Sequence, residues 1–229
     1  MSWILLIRLR KMLRIKHLYV ITFAFLWLVS CGDGTTKSYW DDGSLKSALR
    51  YEDGRLNGEC CWYYANGNRQ MQAEYKDDLK HGHSLRWYEN GSLAEDCWYK
   101  AGELDSVYRS YSGKGNLALE TYYVDGKLNG KYMKWYDNGQ VYQDGQYVDG
   151  MMDGAWYVFY PEGTLAATAV YDRGKGKQTG YDETGFKCLE VSYLDNQKHG
   201  KEIHYASNGR IVKELDYEHG KLVSEADFH

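Results

Sequence analysis

One proline in 229 residues and no glycine at every third position set the first limits on this chain. Disordered chains are poor in aromatics and collagens need a strict glycine period; 23 Tyr, 8 Trp and 25 Gly without that period argue against both. Basic residues are not in excess. With a formal charge of -4 the chain lacks the basic footprint of a nucleic-acid binder, so no nucleic acid is expected as a partner. Its glycines form neither a Walker loop nor a dinucleotide fingerprint, and no segment gathers a nucleophile, a base and an orienting group. These absences point to a protein that is not an enzyme and uses no cofactor. Long apolar runs are missing too: the longest, Leu18 to Val29, is about a dozen residues, short of a membrane-spanning helix.

What is present is a repeat. Gly43, Gly67, Gly91, Gly115, Gly139 and Gly163 stand 24 residues apart, followed by Gly185 after 22 and Gly209 after 24. Eight residues beyond each stands a tyrosine: Tyr51, Tyr75, Tyr99, Tyr123, Tyr147, Tyr171, Tyr193 and Tyr217. A second turn position recurs at Gly54, Asp78, Gly102, Gly126, Gly150, Gly174, Asn196 and Gly220, and a third at Gly58, Gly82, Gly130, Gly154 and Gly200. About eight copies of one unit therefore account for nearly all of the chain after its leader.

Alternation within a copy identifies strands. Two residues after the first glycine come Leu45, Leu93, Leu117, Val141, Leu165 and Ile211, with Arg69 and Lys187 as exceptions; the position five after it carries Gln72, Asp96, Glu120, Asp144, Glu190 and Glu214. Apolar even and polar odd positions have the period of a half-buried strand. The aromatic segment before each glycine, such as "CCWYY" or "YMKWY", reads as the partner strand. Between them Asn66-Gly67, Asn90-Gly91 and Asn138-Gly139 predict type I′ hairpin turns. Tyr111, Tyr181 and Tyr205 lie four residues before their glycine where other copies have tyrosine three before, which predicts one extra turn residue there. The expected fold is all-β: an elongated open antiparallel meander of about eight 24-residue β-hairpin repeats, preceded by a cleavable signal peptide.

"YYANGNRQMQAEYKDDLKHG" and "WYDNGQVYQDGQYVDGMMDG" resemble the bacterial MORN-repeat variant, as found in YwqK-type antitoxins. The resemblance covers Tyr39 to about Leu222 and implies a twisted, open antiparallel sheet. Departures are Ser106 and Gln178, where the third turn usually has glycine, and the shortened copy "KGKQTGYDETG".

The leader carries basic Arg14, Lys16 and His17 before the apolar run and ends in Leu28-Val29-Ser30-Cys31, which looks like a bacterial lipobox. The expected organisation is a lipoprotein signal peptide over 1–30, lipidated Cys31 with a short tether over 31–38, and the repeat array over 39–229. Met12 is a second start, and an uncleaved anchor extended by "WILLIRLRKM" is the competing reading. The lipobox implies residence at a bacterial cell envelope, held to a membrane by acyl chains.

Candidate sites follow from the repeat. His81 and His199 precede third-turn glycines, where other copies have Asn57, Asp105, Asn129 and Asp153, so turn chemistry explains them better than metal binding. Cys60, Cys61, Cys97 and Cys188 are expected as four free thiols, because three strands separate Cys97 from the first two. The tyrosine column is expected to pack between successive copies. Since one sheet layer cannot hide both faces, Trp62, Trp87, Trp98, Trp135 and Trp156 are the candidate binding surface. The expected function is a non-catalytic envelope scaffold for protein-protein contact, with another protein as partner. Alternatives are a cell-wall or carbohydrate-binding repeat protein with a glycan as partner, and an antitoxin or immunity-type inhibitor of a toxin.

Overall fold

The computed structural model describes residues 29–31, for their backbone, and 34–228. The expected signal peptide up to residue 28, and the Cys31 side chain that would carry lipid, lie outside the described residues. The strands are β1 (Val29–Cys31), β2 (Thr35–Tyr39), β3 (Leu45–Glu52), β4 (Arg55–Leu56), β5 (Gly58–Tyr63), β6 (Arg69–Lys76), β7 (Leu79–Trp87), β8 (Leu93–Lys100), β9 (Glu103–Tyr111) and β10 (Leu117–Val124). They continue as β11 (Lys127–Trp135), β12 (Val141–Val148), β13 (Met151–Phe159), β14 (Leu165–Asp172), β15 (Lys175–Tyr181), β16 (Lys187–Leu194), β17 (Gln197–Tyr205), β18 (Ile211–Glu218) and β19 (Lys221–Asp227). Each pairs antiparallel with the next; β4 and β5 act as one strand interrupted at Asn57, since both pair with β3. The all-β open meander of repeated hairpins is therefore the observed fold. Because β2 pairs with β3 from Thr35 onward, the array begins inside the stretch expected to be a tether.

The three turn types are distributed differently from the sequence expectation. At Asn66-Gly67 only the glycine has positive φ, at 84°. Tyr64 O accepts from the Gly67 N–H at 3.0 Å, and the Tyr64 N–H donates to Asn68 O at 2.8 Å. That is a type I turn closed by a glycine bulge, a three-residue hairpin loop. The asparagine serves otherwise: Asn66 Oδ1 accepts from the Asn68 N–H at 2.9 Å, and Nδ2 donates to Glu89 O of the next copy at 2.9 Å. The primed geometry, with two positive-φ residues, belongs to the connections between copies, such as Asp53 (50°) with Gly54 (78°).

The expected extra turn residue is absent. Ser112 takes the place of Tyr64, with the same pair of bonds to Asn116 and Gly115, and Tyr111 pairs with Leu117 as Tyr63 pairs with Arg69. The tyrosine has moved one position along an unchanged hairpin, and so onto the other face of the sheet.

The third glycine marks a bulge. Thr121 pairs with Tyr132 and Tyr123 with Leu128, so three residues of β11 oppose one residue of β10. Gly130 takes φ 116° there, with Tyr122 packed against it, which only a residue without a β-carbon accepts readily. The two departures now have separate explanations. In the 22-residue copy, β14 and β15 pair without a register shift, so the missing two residues are the bulge itself and Gln178 pairs straight with Ala169. Ser106 keeps the bulge and is forced to φ 76°. Ser106→Gly is expected to stabilise the fold by about 1 kcal/mol, read as a higher urea midpoint; an unchanged or lower midpoint would mean no strain is stored there.

Copies are laced at both edges of the sheet. At one edge, Tyr64, Tyr88, Tyr136 and Tyr160 hydroxyls donate to the carbonyls of Trp87, Tyr111, Phe159 and Tyr181 in the following copy, at 2.8–2.9 Å. At the other, the Gly102, Gly126 and Gly150 N–H groups donate to Lys80, Leu104 and Leu128 carbonyls of their preceding connections at 2.8–2.9 Å. His81 and His199 belong to this second edge. Neither has positive φ; instead His81 Nδ1 accepts from the Ala101 N–H and His199 Nδ1 from the His219 N–H, both at 3.4 Å, as Asp105 and Asp153 accept from Asp125 and Arg173.

Candidate interaction faces of the sheet

Register assigns every side chain to one of two faces. One face, here the Tyr75 face, carries the tyrosine column and the core. Its buried centre is a line of cross-strand pairs: Cys60 with Ala73, Ser84 with Cys97, Tyr108 with Thr121, Tyr132 with Gly145, and Trp156 with Ala169. Where one member is large the other is small, so that each pair fits within one layer. Tyrosines of the column pack on these pairs: Tyr147 and Tyr171 lie 5.1 and 6.3 Å from Trp156, edge to face, and Tyr193 lies 5.6 Å from Tyr171. Burial drives the Tyr99 and Tyr108 hydroxyls up to about 12, and that of Tyr171 higher still.

Cys60, Cys61 and Cys97 are buried and unbridged, Cys188 is half-buried and unbridged, and desolvation raises the first three thiols. Raised thiols carry little thiolate and are poor nucleophiles. Among the described residues, no group of three or more His, Cys, Asp or Glu side chains could hold a metal ion.

The opposite face, the Trp98 face, is more varied. Toward the start of the array it bears a charged chain across four strands. His83 stacks on Trp98 at 4.7 Å and shares a 2.7 Å hydrogen bond with Asp96; Arg109 lies 3.8 Å from Asp96 and 2.7 Å from Glu120. Further on, β13 and β14 present Ala155, Tyr157, Phe159, Leu165, Thr168 and Val170, an uncharged window in a face otherwise studded with charge. Val170 is 70% exposed, Tyr157 42% and Leu165 37%, and Tyr157 stacks on Phe159 at 6.4 Å.

Beyond the window, charge returns. Lys187 and Lys177 each lie 2.9 Å from Glu190, Tyr205 donates to it at 3.1 Å, and these partners pull its carboxyl from the ordinary 4.5 down to about 2, Lys187 contributing most. A depressed carboxyl stabilises the fold above its unfolded pKa and loses that contribution as pH falls through the folded value. The stability gap between wild type and Glu190→Gln is therefore expected to hold above pH 4.5 and to close by pH 2, measured as urea midpoints across that range. A gap independent of pH would show that the carboxylate charge contributes nothing.

The five candidate tryptophans do not share a surface. Trp62 and Trp156 lie on the Tyr75 face, and Trp156, 3% exposed, is core and offers nothing to a partner. Trp87, Trp98 and Trp135 lie on the Trp98 face, where Trp98 is 44% exposed while Trp87 is half-buried with Arg69 over its ring. Sequence reasoning overlooked a complete aromatic column on this face: Tyr39, Tyr63, Trp87, Tyr111, Trp135, Phe159, Tyr181 and Tyr205, each four residues before its glycine. The signal lies in the spacing, but in sequence Tyr111, Tyr181 and Tyr205 look like displaced copies of the neighbouring tyrosine position.

The MORN repeat variant family matches residues 32–53, 56–77, 80–101, 128–149 and 152–173. Five of its copies are thus MORN-variant repeats. The copies between and after these matches include those with Ser106 and with the missing bulge, and their strands pair in the same meander. No curated protein matches the chain in sequence. Among solved structures it is similar to a TcdB2-TccC3 crystal structure, at 12% identity and a TM-score of 0.21 over 84% of this chain and 15% of that one. It is also similar to alternansucrase in complex with isomaltononaose, at 16% identity and a TM-score of 0.20 over 84% and 15%. A Tc holotoxin pore from Photorhabdus luminescens follows at 12%, 0.18, 86% and 15%. This chain spans about 15% of those proteins, and TM-scores of this size establish no common fold.

Proposed function

We propose that this protein is a non-catalytic scaffold that docks another protein on the Trp98 face of its sheet. The observation that carries the reading is the uncharged window around Tyr157, Leu165 and Val170, with the ion-paired Glu190 cluster on the two strands beyond it and the Arg109–Glu120 pair further back, across β11 and β12. Protein interfaces have this anatomy: an apolar, aromatic-rich centre that loses its water and a charged rim that selects the partner. Tyr157 is a suitable anchor, because a ring already stacked on Phe159 gives up little side-chain freedom on binding. The lipobox-like Leu28-Val29-Ser30-Cys31 completes the proposal, with lipid on Cys31 holding the scaffold at a bacterial envelope membrane.

Affinity capture from detergent-solubilised membranes tests the docking reading, with native bait beside a Tyr157→Ser/Val170→Ser variant. A protein retained by the first and lost from the second supports it. Equal retention by both, or no retained protein, removes the window as the site. Cys31→Ser tests the anchor: the chain should move from the membrane fraction to the soluble fraction, and continued sedimentation with membranes would refute lipid attachment.

A further inference from the structure

The residue three before each hairpin glycine decides how one copy is tied to the next. Trp40, Tyr64, Tyr88, Tyr136 and Tyr160 each send a ring toward the following hairpin, where the indole N–H or hydroxyl donates to the main-chain carbonyl of Tyr63, Trp87, Tyr111, Phe159 or Tyr181 at 2.8–3.2 Å. Three copies depart from this rule. Ala206 belongs to the last hairpin among the described residues, and Asp182 turns its carboxylate onto Thr184 and Phe186 of its own turn. Ser112 is the third, and it lies in the middle of the array with linked copies on both sides. A serine side chain cannot span what a tyrosine spans; its Oγ is buried and unpaired, so the link to the Trp135 carbonyl is not made.

Between this hairpin and the next lies an open gap of about 480 Å³, walled by Leu117 and Trp135 and rimmed by Gly115, Asn116, Asn138 and Gly139. Its width is set by other bonds. Asn116 Nδ2 donates to Asp137 O at 2.9 Å, as Asn68 Nδ2 donates to Glu89 O at 2.8 Å in the copy with Tyr64, and Lys114 lies 3.7 Å from Asp137. The same asparagine link thus holds the hairpins together whether or not a ring bridges them. The sibling copies define what suits the gap: a flat ring that packs on apolar walls and carries one hydroxyl, which donates to a carbonyl with a second lone pair to offer. We infer that the gap receives a tyrosine side chain of a partner protein, its ring between Leu117 and Trp135 and its hydroxyl on the Trp135 carbonyl. The source of that tyrosine rests on the docking reading above; the gap itself does not, because none of its walls belongs to the window.

The test is a titration of the full chain in detergent micelles with N-acetyltyrosinamide, followed by the 15N-indole signals of its 8 tryptophans, with Trp135→Phe identifying the relevant one. The Trp135 signal should shift saturably. N-acetylphenylalaninamide, which lacks only the hydroxyl, should bind about fivefold more weakly, the loss of one hydrogen bond. In Ser112→Tyr the chain's own ring takes the gap, so binding should be lost and the urea midpoint should rise as a link between copies is restored, while the other indole signals stay in place to report an intact fold. An unmoved Trp135 signal, equal affinity for the two probes, undiminished binding in Ser112→Tyr, or a lowered midpoint in that variant would overturn the assignment. None of those results would bear on capture by the Tyr157 and Val170 window, and failure of that capture would leave the binding of N-acetyltyrosinamide unchanged.

Discussion

Trp156→Ala is expected to lower the unfolding free energy by about 3–5 kcal/mol, the loss found when a buried aromatic is truncated and its cavity cannot fully collapse. Trp156 is 3% exposed and touches the rings of Tyr132, Tyr147 and Tyr171, with centroids at 5.7, 5.1 and 6.3 Å. A single-layer sheet has no second layer to move into the space, so relaxation can recover little. In an array where each copy contacts only its neighbours, the damage should also be local. Hydrogen exchange should accelerate first in β12 to β15, with β5 to β7 protected as before. A loss below about 1 kcal/mol in urea titration, or uniform loss of protection along the array, would contradict the role given to this residue.

The second large effect belongs to a residue that looks unremarkable in sequence. A β-carbon on Gly145 would overlap the Trp156 ring, whose fused atoms lie directly over the glycine. Gly145→Ala is therefore expected to cost about 1–3 kcal/mol by overpacking, although its φ is not in the left-handed region and the substitution would otherwise favour a strand. The two effects should not add. With Trp156 already alanine, the new methyl enters vacated space, and Gly145→Ala should then be nearly neutral. A double-mutant cycle gives the coupling directly, and additive losses would show that the glycine is required for another reason.

The repeat period, the strand assignment and the tyrosine column were all readable because strands repeat side-chain direction every two residues and each copy reports on the others. Turn chemistry was less readable. Asn-Gly is the signature of a primed hairpin turn, yet Asn66 is worth more as a hydrogen-bonding link to Glu89 in the next copy, a contact invisible within one repeat. The missing bulge shows the same limit: a 22-residue spacing reveals that two residues are gone, while only strand register shows which two. Facial placement of the aromatics failed for a related reason. Trp62 stands five residues before Gly67 and Trp87 four before Gly91, so alternation sets them on opposite faces, while the one-residue shift between the pairs Trp62–Met71 and Tyr63–Arg69 moves the residue two after each glycine off the face of the tyrosine column. The matched pair of Gly145 with Trp156 could have been found by aligning the copies, since glycine stands there where Ala73, Cys97, Thr121 and Ala169 stand in others.

On the proposed function, one face of the sheet receives a partner while the other is devoted to packing. Hydroxyl-radical footprinting of the captured complex, read by mass spectrometry, tests it most directly, because the informative rings are exposed on both faces before binding: Trp98 at 44%, Tyr157 at 42% and Tyr122 at 36% on one, Tyr51 at 38% on the other. Tyr157 should become protected, with Trp98 or Tyr122 protected alongside if the footprint extends along the array, while Tyr51 oxidises as in the free chain. Protection of Tyr51 with Tyr157 left reactive would place the partner on the opposite face and rule out docking at the window.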